Sequence, residues 1–357
     1  KPLPLAPRVL CTRACLGSMG LSLAVELVRT LQSRAESDAG HEARAAAAEL
    51  YPGATVMSPD TEAAALPPAL CCDEIENFVR IIRLIRPPRA GMRIGQIEVY
   101  GDSVFCNGVA GGDHIIYLDF DKRYDLDQRI ESATANGQIE VAAALAKNRK
   151  QVGILVADVS GHQITDALAA AMLHQAFLTG VLYELDRCGE VTTKLFENVN
   201  TRFYRSLSFE KYITLVYGEI SETGRFRFLS AGSPPPFVFS AEYDRFVTIC
   251  PDRLVSFTPL GLFPSEDDID SSKILSPIGY KPRYTVNEVN LLGDGDILIL
   301  HTDGLDEHAR ADGLAFVPGE LEAVVRECKQ LPAHEIYQAV RECALAFAPL
   351  EDDMTVV

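Results

Sequence analysis

Val152-Gly153-Ile154-Leu155-Val156-Ala157-Asp158-Val159-Ser160-Gly161-His162 decides how the chain is to be read. A short apolar run, β-branched at Val152, Ile154 and Val156, predicts a buried strand over residues 152–157. The run stops on a carboxylate, so Asp158 stands at the mouth of a strand, where a rigid sheet fixes its direction. The same arrangement recurs. Asp303 closes the run Ile297-Leu298-Ile299-Leu300-His301-Thr302. Asp113 follows Gly111-Gly112 and opens a strand over 115–120, and Asp352-Asp353 precedes Met354-Thr355-Val356-Val357.

Working outward, strands are expected at 97–100, 212–220, 225–231, 237–240, 286–292 and 297–302, bounded by Gly, Pro, Asp or Asn. Helices are expected at 165–187, 191–204, 318–328 and 334–347, with a helix or insertion at 128–150. Sequential strands with helices in blocks predict an α+β layered domain, not a βαβ alternation. The acidic stretch Glu266-Asp267-Asp268-Ile269-Asp270 reads as a solvated loop.

Ahead of the strands, Asp73 to Ile85 reads as an amphipathic helix stopped by Pro87-Pro88. Ile75, Phe78, Val79, Ile82 and Ile85 share one stripe, and Ile81 and Leu84 widen it. So wide an apolar face fits a helix packed on its own domain, or one that also meets a partner or a second copy of the chain. Residues 1–70 are Pro-rich, then Ala-rich at Ala45-Ala46-Ala47-Ala48, and end near Pro67-Pro68. They read as an N-terminal helical extension, with helices at 21–34 and 41–50, serving as a regulatory arm or a poorly ordered leader. The organisation expected is extension 1–70, linker or regulatory helix 71–90 and domain 91–357.

Composition narrows the classes. Thirty-three Lys+Arg against fifty Asp+Glu leave a net charge of −17. That balance argues against nucleic acid or an anionic membrane as partner and allows divalent cations and basic protein surfaces. No apolar stretch is expected to reach the roughly 18 residues of a membrane span; Cys15 to Val25 is read as the nearest, too weak for a signal peptide. Nine cysteines are scattered with no CxxC pair, which excludes a zinc ribbon or thioredoxin motif and fits a reducing, cytoplasmic compartment.

Familiar sites are absent: no GxxxxGK[ST] loop, no GxSxG elbow, no HExxH helix and no GxGxxG order. Asp119, Asp121, Asp125 and Asp127 lack the central Gly and terminal Glu of an EF-hand. Each strand-mouth aspartate has a plain alternative. Asp303-Gly304 is a common turn dipeptide, Gly111-Gly112-Asp113 suits a hairpin, Asp158 suits a helix cap, and Asp352-Asp353 suits solvated charge. Together they point to chemistry, because gathered carboxylates repel unless a cation neutralises them. Oxygen-only donors select Mg²⁺ or Mn²⁺, and two such ions about 4 Å apart suit phosphate-ester hydrolysis.

Gly111-Gly112-Asp113, Ala157-Asp158-Val159-Ser160-Gly161-His162, Ala231-Gly232-Ser233-Pro234-Pro235, Gly295-Asp296, His301-Thr302-Asp303-Gly304 and Asp352-Asp353-Met354-Thr355 run in the order seen in metal-dependent protein phosphatases. From about residue 73 onward the chain most resembles the bacterial SpoIIE-type branch, which acts on phosphoserine or phosphothreonine in anti-sigma-factor antagonists. The resemblance implies an α-β-β-α sandwich: two antiparallel sheets flanked by helices, with two metal ions, Mn²⁺ or Mg²⁺, at one edge. It implies that Asp113 and Asp158 bind and bridge the metals, with the Val159 carbonyl as a further ligand. Asp303 and Asp352 would hold the second ion, with Asp353 beside them, also counted among the metal residues, at a position that is Asn in many eukaryotic relatives. Gly112, Gly161 and Gly304 would be the turn glycines. The implied partners are a phosphorylated protein substrate and a separate sensor or activator; the rival reading is a non-catalytic phosphoprotein-binding regulator with the same fold. Ser233 and Gln163 depart from the His and Gly usual in the family, and His162 is read as structural.

Overall fold

The computed structural model describes residues 68–106, 108, 110–161, 165–206, 211–250, 254–274, 276, 279–291 and 293–357. In chain order the strands are β1 (Met92–Ile94), β2 (Ile97–Val99), β3 (Asp102–Val104), β4 (His114–Asp119), β5 (Gln151–Val159), β6 (Ile213–Ser221) and β7 (Arg225–Ala231). They continue as β8 (Phe237–Ser240), β9 (Arg245–Val247), β10 (Ser256–Phe257), β11 (Asn287–Asn290), β12 (Ile297–Ile299) and β13 (Met354–Val356). The helices are α1 (Pro68–Leu84), α2 (Phe120–Arg123), α3 (Leu126–Ala135), α4 (Ile139–Asn148), α5 (Asp166–Cys188), α6 (Thr193–Ser206), α7 (Asp303–Asp306), α8 (Gly319–Cys328) and α9 (Ala333–Phe347).

The first sheet is ordered β10-β7-β6-β5-β4, with β11 also on the outer edge of β7. Its main pairs, β4–β5, β5–β6 and β6–β7, are antiparallel neighbours in chain order, with helices connecting the first two pairs and a tight turn the third; the two-residue contact of β10 with β7 is parallel. The second sheet is assembled from short pieces, β9-β8-β12 and β13-β3. Backbone bonds exchanged between Leu300 and Val357, both 2.9 Å, join the pieces into one surface.

Strand alternation sorts the side chains into three layers of core. Ile154 and Val156 of β5, Tyr117 of β4, Val216 of β6 and Phe226 of β7 lie in the apolar layer that includes Leu300, between the sheets. Leu155, Ala157 and Val159 point the other way, into the layer with Phe177 and Val181 of α5 and Phe196 and Phe203 of α6. Ile299, Met354 and Val356 pack with Leu321 and Val325 of α8 and Val340 of α9. The result is the expected α-β-β-α sandwich, and the parity that buries Ile154 and Val156 between the sheets sends Asp158 to the same side.

Several expectations change. Residues 128–150 fold as parts of two helices, α3 and α4, broken at Gly137, whose φ is +72°. The stretch 266–270 is not uniformly solvated: Asp268 is buried, accepting from Thr201 Oγ1 and from Asp270 N. Among the described residues α5 is long and apolar enough, by length and composition, to cross a membrane, which was not expected, while Cys15 to Val25 lies outside the described residues. In the structure Leu173, Phe177, Val181 and Leu185 of that helix are buried on the first sheet. Strands β1, β3, β9 and β10 were not foreseen. Residues 1–67, and with them most of the expected extension, lie outside the described residues, as does His162.

Candidate metal centre

Five carboxylates meet where the two sheets end together. β5 supplies Asp158, and the pairing of His114 with Ala157 sets Asp113, one residue before β4, beside it. From the opposite sheet come Asp303, the first residue of α7, and Asp352 and Asp353, which lead into β13. Thr302 N donates to Thr355 O at 3.2 Å, so the stretch after β12 and the strand β13 reach the centre side by side. Asp158 belongs to β5 and does not cap α5, and Asp303 opens a helical turn.

The two sheets are tied through Asp113. Its Oδ2 accepts from Thr302 Oγ1 at 2.9 Å and from Thr355 Oγ1 at 2.6 Å. Ser103 Oγ lies 2.6 Å from Thr355 Oγ1 and supplies that hydroxyl's own donor. Asp113 Oδ1 is buried and finds no hydrogen-bond donor among the described residues. Neither threonine was foreseen as a functional residue. The available signal was parity: Thr302 immediately precedes Asp303, and Thr355 lies two residues past Asp353, on the same side of its strand.

Asp353, expected beside the ligands, has both oxygens engaged by amides: Cys106 N at 2.9 Å and Gly112 N at 3.0 Å. Its own N–H donates to Asp352 Oδ1 at 2.8 Å. The glycines make this packing feasible. A Cβ at Gly111 would lie 1.6 Å from Asp353 Oδ2, and one at Gly304 1.9 Å from the Asp353 carbonyl oxygen. A Cβ at Gly112 would lie 2.4 Å from the Val159 carbonyl oxygen, which places that carbonyl against the Gly111-Gly112-Asp113 turn. Burial falls across the cluster, from Asp113 and Asp353 through half-buried Asp158 and Asp303 to exposed Asp352.

The electrostatics are those of crowded acids. Burial, then the charge of Asp158, holds the Asp113 carboxyl well above the usual range. Asp158 is likewise raised by burial and by Asp303, Asp352 and Asp353. Asp303 is pushed up to about 6 by burial, Asp352 and Glu307. Among the described residues no three such side chains are gathered tightly enough to hold an ion as they stand. The donor chemistry nevertheless fits a hard cation: an unpartnered buried carboxylate oxygen, oxygen donors throughout, and mutual repulsion that positive charge would relieve.

Residues 148–357 match the family model described as stage II sporulation protein E (SpoIIE). No curated protein matches the chain at a significant level. Among solved structures, the SiaA-PP2C domain of Pseudomonas aeruginosa is similar at 17% identity and a TM-score of 0.55, covering 81% of this chain and 96% of that one. The RsbU and RsbW domains of Rv1364c from Mycobacterium tuberculosis align at 19% identity and a TM-score of 0.47, with 72% of this chain and 58% of that chain covered. A PP2C phosphatase domain with a fragment of the regulatory domain of SpoIIE from Bacillus subtilis aligns at 17% and 0.47, with 72% and 60% covered. The chain thus spans less than two thirds of the last two.

Proposed function

The chain belongs to the stage II sporulation protein E (SpoIIE) family, and from that premise we propose a divalent-metal-dependent protein serine/threonine phosphatase whose substrate is a phosphorylated regulatory protein of the anti-sigma-factor-antagonist kind. The observation that carries the reading is Asp113: buried, held on one oxygen by Thr302 and Thr355, and unpartnered on the other among carboxylates that repel it. Asp113, Asp158 and the Val159 carbonyl would hold one ion, and Asp303 and Asp352 a second, either Mn²⁺ or Mg²⁺. When bound, the ions would neutralise the cluster, lower the pKa of a water and clamp the phosphoryl oxygens.

The chain's own residues do the rest. Thr302 and Thr355 orient Asp113, and Asp353 fixes the Gly111-Gly112 turn through its amide contacts. Exposed Asp352 marks the side from which a phosphoserine can approach. Among the described site residues there is no Ser–His or Cys–His pair, which agrees with direct hydrolysis and no phosphoenzyme.

The domain begins near residue 91 on this reading, with α1 as the input element. Ile75, Ile81 and Leu84 of α1 are exposed, at 48%, 60% and 80%. A sensor or activator protein, or a second copy of the chain, would cover them. Cys106, Cys188, Cys250, Cys328 and Cys343 are free thiols, which supports a cytoplasmic setting.

Phosphate release from a phosphoserine protein, with and without Mn²⁺, tests the proposal. Release should require the metal, and Asp303→Asn should lower it by at least about a hundredfold, the scale set by losing a group that stabilises the transition state. Release indifferent to both would overturn the assignment. Mn²⁺ binding without release, even with phosphoprotein bound, would favour the non-catalytic binding module.

A further inference from the structure

The turn after Asp158 is held from outside by two charged residues that the phosphatase reading does not use. Lys211, two residues ahead of β6, donates from Nζ to the Ser160 carbonyl oxygen at 2.8 Å. The same ammonium pairs with Asp166 Oδ1 at 2.6 Å; the Asp166 side chain is 3% exposed and that of Lys211 32%. Asp166 is the first residue of α5. The pair lies directly on the turn: a Cβ at Gly161, whose φ is +109°, would stand 2.7 Å from Asp166 Oδ2 and 2.8 Å from Lys211 Nζ.

Peptide planarity connects this clamp to the centre. The β5–β6 ladder continues past both strands, with Ser160 N donating to Tyr212 O at 3.0 Å and Tyr212 N to Ser160 Oγ at 3.1 Å. The Ser160 N–H and the Val159 C=O share one planar trans unit and point opposite ways. With the N–H directed at Tyr212, the Val159 carbonyl is directed away from β6 and against Gly112, the residue that precedes Asp113. The next peptide is fixed by Lys211 through its bond to the Ser160 carbonyl. Two consecutive peptide planes are therefore locked, and Lys211 with Asp166 locks the second. Stability alone does not require charge here, because an apolar pair of similar volume commonly folds as well.

We infer that Lys211 and Asp166 are positioning residues that hold the Ser160-Gly161 turn so that the Val159 carbonyl faces the metal centre, and thereby set its affinity for a divalent ion. The inference rests on Val159 being a ligand. Loss of such an outer contact typically weakens metal binding by roughly 10–100-fold.

The test is Mn²⁺ binding by calorimetry, with melting of the metal-free protein measured in parallel. Lys211→Met should weaken binding by about tenfold or more, and Lys211→Arg, which keeps a cationic donor, should restore most of it. Because Lys211→Met removes the cation beside the buried Asp166 carboxylate and lowers stability by itself, the deciding variant is Lys211→Met with Asp166→Leu. It should melt near the wild type without metal yet bind Mn²⁺ as weakly as Lys211→Met. Wild-type affinity in that double variant would overturn the inference and leave the pair a structural contact. A wild type that binds no Mn²⁺, or an Asp303→Asn protein that binds it equally well, would overturn the metal-centre reading and this inference with it.

Discussion

Asp113 divides its two oxygens between two tasks. Oδ2 takes two threonine hydroxyls and so joins the sheets; Oδ1 is left buried and without a donor among the described residues. Ionising such a group without a counter-ion is costly, and its neighbours share that cost. Asp303, raised to about 6, lies above its ordinary value near 3.8. A carboxyl raised on folding gives stability that is fully present below the unfolded pKa and is lost as pH rises through the folded one. The metal-free protein should therefore lose stability from this group between about pH 4 and pH 6, while bound metal, which needs the ionised form, gains hold over the same range. The difference in melting temperature between Mn²⁺ and EDTA should widen as pH rises from 5 to 7. A constant difference would argue that the carboxylates are not the ligands. The aspartates themselves were legible because each ends or begins an apolar run. The partners of Asp113 were not, because Thr302 and Thr355 are 189 and 242 residues away and meet it only after the second sheet has formed.

At the scale of elements, the contact between β4 and α5 rests on two histidines. His114 Nε2 lies 2.9 Å from His174 Nδ1, both side chains buried, so the two share one proton as neutral rings. Burial, then His174 and Arg86, pulls His114 down to about 3; burial, then Arg123, pulls His174 down to about 4. Histidines held neutral on folding contribute stability that is present above the unfolded value near 6.5 and is lost as pH falls toward 4 and then 3. Replacing both, as His114→Leu with His174→Leu, should flatten that acid limb relative to the wild type in urea or thermal melts. Replacing His174 alone should cost about 1–3 kcal/mol, because His114 Nε2 is left buried without a partner. An unchanged acid limb in the double variant would show that the pair is not the titrating unit. Long periodic elements such as α5, α9, β5 and β7 were readable from sequence. β3, β9 and β10 were not, because two or three residues carry no period and take their conformation from the strand alongside. The burial of Asp268 was equally invisible, since its partner Thr201 is 67 residues distant on α6.

For the molecule as a whole, the sandwich was legible because the apolar runs alternate their burial between helix layer and sheet layer, and the strand-mouth aspartates follow the same parity. What the linear sequence conceals is the order in which these parts come together. The β4–β5–β6–β7 meander and the helices packed on it close modest loops, whereas Gly112 with Asp353 and Asp113 with Thr355 close loops of 241 and 242 residues. Closure of long loops is entropically delayed and is rewarded only once both sheets exist. Ion binding is therefore the last property a refolding chain should acquire. In stopped-flow refolding from urea, the far-ultraviolet signal of helix and sheet should recover first and uptake of Mn²⁺ should lag behind it. Simultaneous recovery would indicate that the centre is prefigured in the collapsed chain. On this view the bond between Asp113 and Thr355 acts as a checkpoint in time as well as a strut in space: a half-made molecule is an unloaded one, and on the phosphatase proposal it could not act on a phosphoprotein before its architecture is finished.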